Sequence, residues 1–208
     1  MKNTIKILGV IAVIAVTGFT MTFCGGNGES GNGEKCEFCE ENPCICQIEQ
    51  GGLIFSLLNS PQGTAVYEVS AGNNVPAVVV IPASVNGMAV EAILREGFAG
   101  LSHITGITIP ASVHTIGINA FRGCTSITNI TIPSSVTNMG TGVFMSWTSV
   151  MTQTIDIPFA TLEQAENAWG GGWRVGFDAD IRNNAGSIIY QRCSDCGNNA
   201  LECGCGAE

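Results

Sequence analysis

Apolar and polar residues alternate ahead of four prolines. Before Pro82, Pro110, Pro133 and Pro158 the apolar positions are Val79 and Ile81, Ile107 and Ile109, Ile130 and Ile132, and Ile155 and Ile157. Between them lie Val80, Thr108, Thr131 and Asp156. A two-residue period predicts four short strands with the aliphatic residues on one face and the intervening residues on the other. Proline has no backbone N–H to give to a ladder, so each strand is expected to end there.

The pattern repeats. Ile107 to Val113 (ITIPASV) returns as Ile130 to Val136 (ITIPSSV), 23 residues later, with degraded copies on both sides. Units of this length cannot bury an apolar face alone and must stack on their neighbours. Aligned on the prolines, Val85, Val113 and Val136 come back to the core, then Ile93, Ile116 and Met139, then Phe98, Phe121 and Phe144. Five extra residues near Asn86 to Val90 enlarge the first coil, and two precede Ile155 in the last. Leu101, Cys124 and Trp147 share one position, which makes it a buried apolar site and Cys124 a small hydrophobe. His103 and His114 align with Ser and Thr, as variable surface positions do.

The segment before the array, with Leu53 to Leu57 and Tyr67 to Ser70, predicts a strand pair covering the first coil. After Pro158 the stacking pattern is expected to stop. Thr161 and Gln164 fit a capping box opening a helix over 162–169, with Gln164 reaching back to the Thr161 amide, and Gly170 to Gly172 ends it. Two short strands are expected around Trp173 to Phe177 and Ser187 to Tyr190, with Trp169 and Trp173 covering the open end; sugar stacking is the other reading of these rings.

With the ITIP strands, the Ser-Val turn and Ala120 to Cys124 (AFRGC) in view, the array resembles the BspA-like leucine-rich repeats of bacterial surface proteins, over about residues 52–160. The resemblance implies a repeat solenoid: a right-handed leucine-rich-repeat superhelix of about four 23-residue coils, mostly β and irregular, with a β-rich N-terminal cap and a helix-plus-strand C-terminal cap. It further implies display outside the cell and adhesion to host or neighbouring-cell proteins. The chain departs from the family in its small number of coils and its cysteine-rich ends.

Composition agrees with an exported β-rich protein. Charged residues are 12% of the chain, about half the usual share, so short polar side chains must carry the surface. Residues 1–23 begin with Lys2 and Lys6, run apolar from Ile7 to Val16 and then turn small and polar, as a secretory leader does. Met21 to Gly25 resembles a bacterial lipoprotein signal, which implies lipidation of Cys24 and a membrane-anchored protein at the cell surface; Phe23 stands where that family prefers a small residue, and ordinary cleavage would leave Cys24 free. Net charge is −9, and −11 without Lys2 and Lys6, which argues against nucleic acid as a partner.

Eight further cysteines form two quartets with the same order of spacings: Cys36, Cys39, Cys44 and Cys46, then Cys193, Cys196, Cys203 and Cys205. Four thiolates so placed suit a tetrahedral structural zinc, whereas export favours disulfides joining the close pairs. Both readings stay open, and no cofactor is otherwise required. The expected organisation is a leader (1–23), an acidic tether with the first quartet (24–51), an N-terminal cap (52–77), the array (78–160), a C-terminal cap (161–190) and a tail with the second quartet (191–208).

Catalysis needs convergent groups: a base beside a nucleophile, a carboxylate pair, or a metal with an open position. The outward rows of the strands offer Val78, Val80, Gly106, Thr108, Asn129, Thr131, Thr154 and Asp156, with a single carboxylate. Asp178 and Asp180 read as a solvated turn, and Gly170 to Gly172 lacks the context of a phosphate loop. The sequence therefore predicts a non-enzyme that binds extracellular or cell-surface proteins through the exposed ladder. The alternatives are a metal-binding module spaced by the array and an envelope structural protein.

Overall fold

The chain described here enters the array through antiparallel strands. In the computed structural model, which describes residues 47–59, 65–147, 153–177 and 179–190, β1 (Gln47–Gln50) pairs with β2 (Leu53–Asn59), and β2 with β3 (Ala65–Ala71). Ile48, Leu53, Phe55, Tyr67 and Val69 are buried beneath them. The β2–β3 pair is the one expected; β1 lies within the segment expected to be tether, with Ile48 supplying its buried side chain.

Each repeat then contributes two strands. Those ending at the prolines are β4 (Val78–Val80), β7 (Gly106–Thr108), β9 (Asn129–Thr131) and β11 (Thr154–Asp156). The others are β6 (Met88–Ile93), β8 (Thr115–Ile116) and β10 (Asn138–Met139), preceded in the first repeat by β5 (Ser84–Val85). β3, β6, β8 and β10 pair in parallel, so the N-terminal cap continues directly into one side of the stack. On the other side β4 pairs with β7 and β9 with β11, both in parallel and in the expected register. β7 and β9 lie in contact between these two sheets.

The five extra residues of the first coil are accounted for by a hairpin. Asn86 and Gly87, at φ 50° and 80°, form the two-residue turn between β5 and β6, a conformation for which Asn-Gly is the favoured pair because both positions are left-handed.

Successive repeats are also joined by an aromatic stack. Phe98, Phe121 and Phe144 are fully buried with successive centroids 5.7 and 5.9 Å apart. The coils approach so closely that a Cβ on Gly117 would stand 2.4 Å from the Arg95 amide nitrogen, and one on Gly140 the same distance from that of Ile118. Hydrogen bonds also tie coil to coil: Ser112 Oγ donates to Val90 O at 2.8 Å and Ser135 Oγ to Val113 O at 2.7 Å.

Stacking does not stop after Pro158. The helix α1 (Leu162–Trp169) forms as expected, with Thr161 Oγ1 accepting from the Gln164 amide, but Gln164 Oε1 reaches back to the Ala160 N–H rather than that of Thr161. Trp173 to Phe177 is not a strand: Gly171–Arg174 is a 3-10 turn that buries Trp173 and leads Phe177 under the stack. The strand comes later, as β12 (Asp180–Arg182), which adds in parallel to β11; β13 (Ile188–Tyr190) then pairs antiparallel with it. The core wins over local strand propensity because the rings have to fill the last layer. Phe144 meets Trp147, Trp173 and Phe177 edge-on with centroids 5.0–6.3 Å apart.

Candidate interaction face

The ladder ahead of the prolines sorts its residues as the alternation requires. Val79, Ile81, Ile107, Ile109, Ile130, Ile132, Ile155 and Ile157 point into the core. Outward, the parallel registers place Val78 beside Gly106, Val80 beside Thr108, Asn129 beside Thr154, and Thr131 beside Asp156. Val80, Thr108, Asn129 and Thr131 are exposed, and Gly106, Thr154 and Asp156 are half-buried.

The face has two characters. At its N-terminal end Val78 and Val80 are 61% and 64% exposed, an apolar spot on an edge strand. Toward the C-terminal end it is polar, because β12 extends both outward rows with Asp180 and Arg182. Asp156 and Arg182, register partners, form a two-pronged ion pair with Nε to Oδ1 at 2.7 Å and Nη2 to Oδ2 at 3.3 Å. Partial burial raises the Asp180 carboxyl above the ordinary range, and the Arg182 charge opposes that shift. Around Thr131, Ser134, Asp156 and Arg182 the surface sinks into an open depression of about 450 Å³, closed on one side by the β12–β13 turn at Asn183, Asn184 and Gly186.

Asn183 to Gly186 form the turn that their composition predicts, but Arg182 and the strand that carries it escaped the sequence reading. Its signal is the triple Asp180-Ile181-Arg182, which matches Asn129-Ile130-Thr131 and Thr154-Ile155-Asp156 in its polar-apolar-polar order but lacks the proline that follows those strands. Asp180 accordingly opens a strand rather than sitting in a solvated turn.

The remaining candidates fall elsewhere. Trp169 and Trp173 are buried, and Trp169 Nε1 donates to Val136 O at 2.9 Å, so neither ring offers a free face for sugar stacking. Cys124 is fully buried and donates to Phe98 O at 3.0 Å; burial pushes its thiol up to about 12. Trp147, one repeat on, makes the equivalent bond from Nε1 to Phe121 O at 2.8 Å, so this position carries a donor as well as apolar bulk. His103 and His114 are exposed. Gln153, unremarked in the sequence, is buried and donates to Ile127 O at 2.8 Å, tying the two-residue insertion to the preceding repeat. The leader, Cys24, Cys36, Cys39, Cys44, Cys46, Asp178, Cys193, Cys196, Cys203 and Cys205 lie outside the described residues. Among the described residues no group of three or more His, Cys, Asp or Glu is placed to hold a metal ion, and no helix is long and apolar enough to cross a membrane.

Residues 89–169 match the family described as "BspA type Leucine rich repeat region", in six copies. Over these residues the array is similar to a BspA-type leucine-rich repeat region. The match runs past Pro158 through α1, in keeping with continued stacking there. Among solved structures, the chain is similar to a leucine rich cell surface protein from Faecalibacterium prausnitzii A2-165 (27% identity, TM-score 0.40, 56% of this chain and 34% of that one). It thus spans about a third of that protein's length. It is also similar to a leucine-rich repeat protein from Bacteroides capillosus (27% identity, TM-score 0.35, 45% of this chain and 87% of that one). A third is the T. pallidum leucine rich repeat protein (19% identity, TM-score 0.37, 49% of this chain and 56% of that one). No curated protein matches the chain.

Proposed function

We propose that this chain is an exported, lipid-anchored surface protein whose repeats stack as a right-handed superhelix and whose outward ladder adheres, without chemistry, to extracellular or neighbouring-cell proteins. The observation that carries the reading is the pair of parallel registers that sets Val78 and Val80 beside Gly106 and Thr108, and Asn129 and Thr131 beside Thr154 and Asp156, with β7 and β9 in contact between them. Their aliphatic neighbours are spent on the core, while these positions contribute little to it. The leader and Cys24 would hold that surface outside the cell, attached through lipid. In support, Val78 and Val80 are large apolar side chains left in solvent, where a binding partner gains by covering them.

The test uses the full chain displayed on cells, with binding measured against a panel of extracellular host proteins and bacterial surfaces. Adhesion predicts saturable binding that Val78→Asp with Val80→Asp weakens at least tenfold; absence of saturable binding across the panel overturns it. The recurrence of one cysteine spacing at both ends favours a second reading, two zinc-holding quartets separated by the array. Native mass spectrometry of the secreted chain decides it: two retained zinc ions support the quartets as metal sites, and eight lost hydrogens without metal make them disulfides.

A further inference from the structure

We propose that the depression at the C-terminal end of the ladder takes a neutral saccharide unit. This inference rests on the ladder being a binding face and assigns a ligand class to one part of it.

The lining is neutral in sum. Its ionisable groups are Asp156 and Arg182, and they are paired. A phosphate, sulfate or sialic acid would have to compete with a carboxylate already forked onto the guanidinium, so an anion gains little here. A neutral polyol meets a different situation. Arg182 uses Nε and Nη2 on Asp156, which leaves Nη1 as a donor, and each carboxylate oxygen has a second lone pair with which to accept. Paired hydroxyls on one sugar ring are each donor and acceptor and can bond to both members at once.

The surrounding groups fit the same ligand. Thr131, Ser134 and Asn184 are exposed residues of the lining and add two hydroxyls and an amide to it. Half-buried Pro133 and Pro158 give rigid apolar surface for the C–H face of a ring. A peptide strand is less well served by β11 and β12, which are each paired on both sides and offer it no open backbone edge. At about 450 Å³ the space lies within the usual range of small-ligand sites, about 300–1,000 Å³. Its polar groups need no rearrangement on binding, since the ion pair already holds the two charged side chains in place.

The experiment probes the full chain on an array of neutral hexose and N-acetylhexosamine oligosaccharides with their sialylated and sulfated counterparts. Binding is then repeated with a glycoprotein before and after enzymatic deglycosylation and with purified neutral polysaccharide, which separates protein-linked from free glycan. The expected result is saturable binding of a neutral glycan that changes less than twofold between 50 and 300 mM salt. Ser134→Trp, which fills the depression from an exposed turn, and Asp156→Ala should each reduce it at least tenfold with far-UV circular dichroism unchanged. Binding confined to anionic glycans, neutral binding indifferent to both substitutions, or no saturable glycan binding overturns the inference. If protein binding sensitive to Val78→Asp with Val80→Asp persists in that last case, only the saccharide assignment falls; if both are lost, the adhesive reading falls with it.

Discussion

At the residue scale, the glycines separate two kinds of constraint. Gly87 needs a left-handed φ of 80° but a Cβ there would meet nothing. Gly87→Ala should therefore cost only the backbone term, about 1 kcal/mol. At Gly117 and Gly140 a Cβ would strike the backbone of the preceding coil at 2.4 Å, and backbone cannot swing aside. Gly117→Ala and Gly140→Ala should each cost about 2–3 kcal/mol or prevent folding. Urea midpoints measure the contrast, and equal losses at positions 87 and 117 would refute it.

Cys124 makes a second residue-scale prediction, in pH. Its thiol rises to about 12 in the fold because burial disfavours the thiolate, while an unfolded cysteine ionises near about 8.5. Above that lower value the unfolded chain releases a proton that the folded chain keeps, so the contribution is fully present below it and is lost as pH climbs toward 12. The stability difference between the native sequence and Cys124→Ser, which retains a donor for Phe98 O, should be flat to about pH 8 and then shrink or reverse. A difference independent of pH up to 10 would contradict the assignment, as would rapid labelling of Cys124 by a thiol reagent in the folded protein.

At the scale of elements, legibility followed the repeat. Wherever proline marked a strand end, the alternation located the strand, its faces and its parallel partner, as β9 and β11 illustrate. The helix was legible through Thr161, whose side chain satisfies an otherwise orphaned amide; Thr161→Ala should cost about 1 kcal/mol by thermal unfolding, and a shift indistinguishable from zero would mean that the Ala165 and Trp169 contacts alone hold α1. The error came where a side chain served the core from an unexpected backbone. Trp173 to Phe177 has the composition of a strand, but a 3-10 turn places both rings against Phe144. Moving the strand to Asp180–Arg182 is what brings Arg182 beside Asp156, so the same misreading concealed the polar end of the face. Gln153 was invisible for another reason: no local pattern marks a glutamine that will answer carbonyls 26 residues earlier.

At the scale of the molecule, the stack is closed at its two ends by different means. The N-terminal cap continues the side built from β3, β6, β8 and β10, whereas the C-terminal cap continues the opposite side through β12 and seals the aromatic stack with Trp173. Stability in such arrays is approximately a sum over repeats and their neighbour interfaces, so damage to one cap should spread only as far as coupling carries it. Trp173→Ala removes a fully buried ring touching Phe144, Trp169 and Phe177, a loss of about 3–5 kcal/mol. Hydrogen exchange on that variant should show protection falling first in β11, β12 and α1, less in β8 and β10, and least in the β2–β3 hairpin. If protection instead drops equally from β2 to β12, the described residues unfold as one cooperative unit and the interfaces between coils are stronger than the coils themselves.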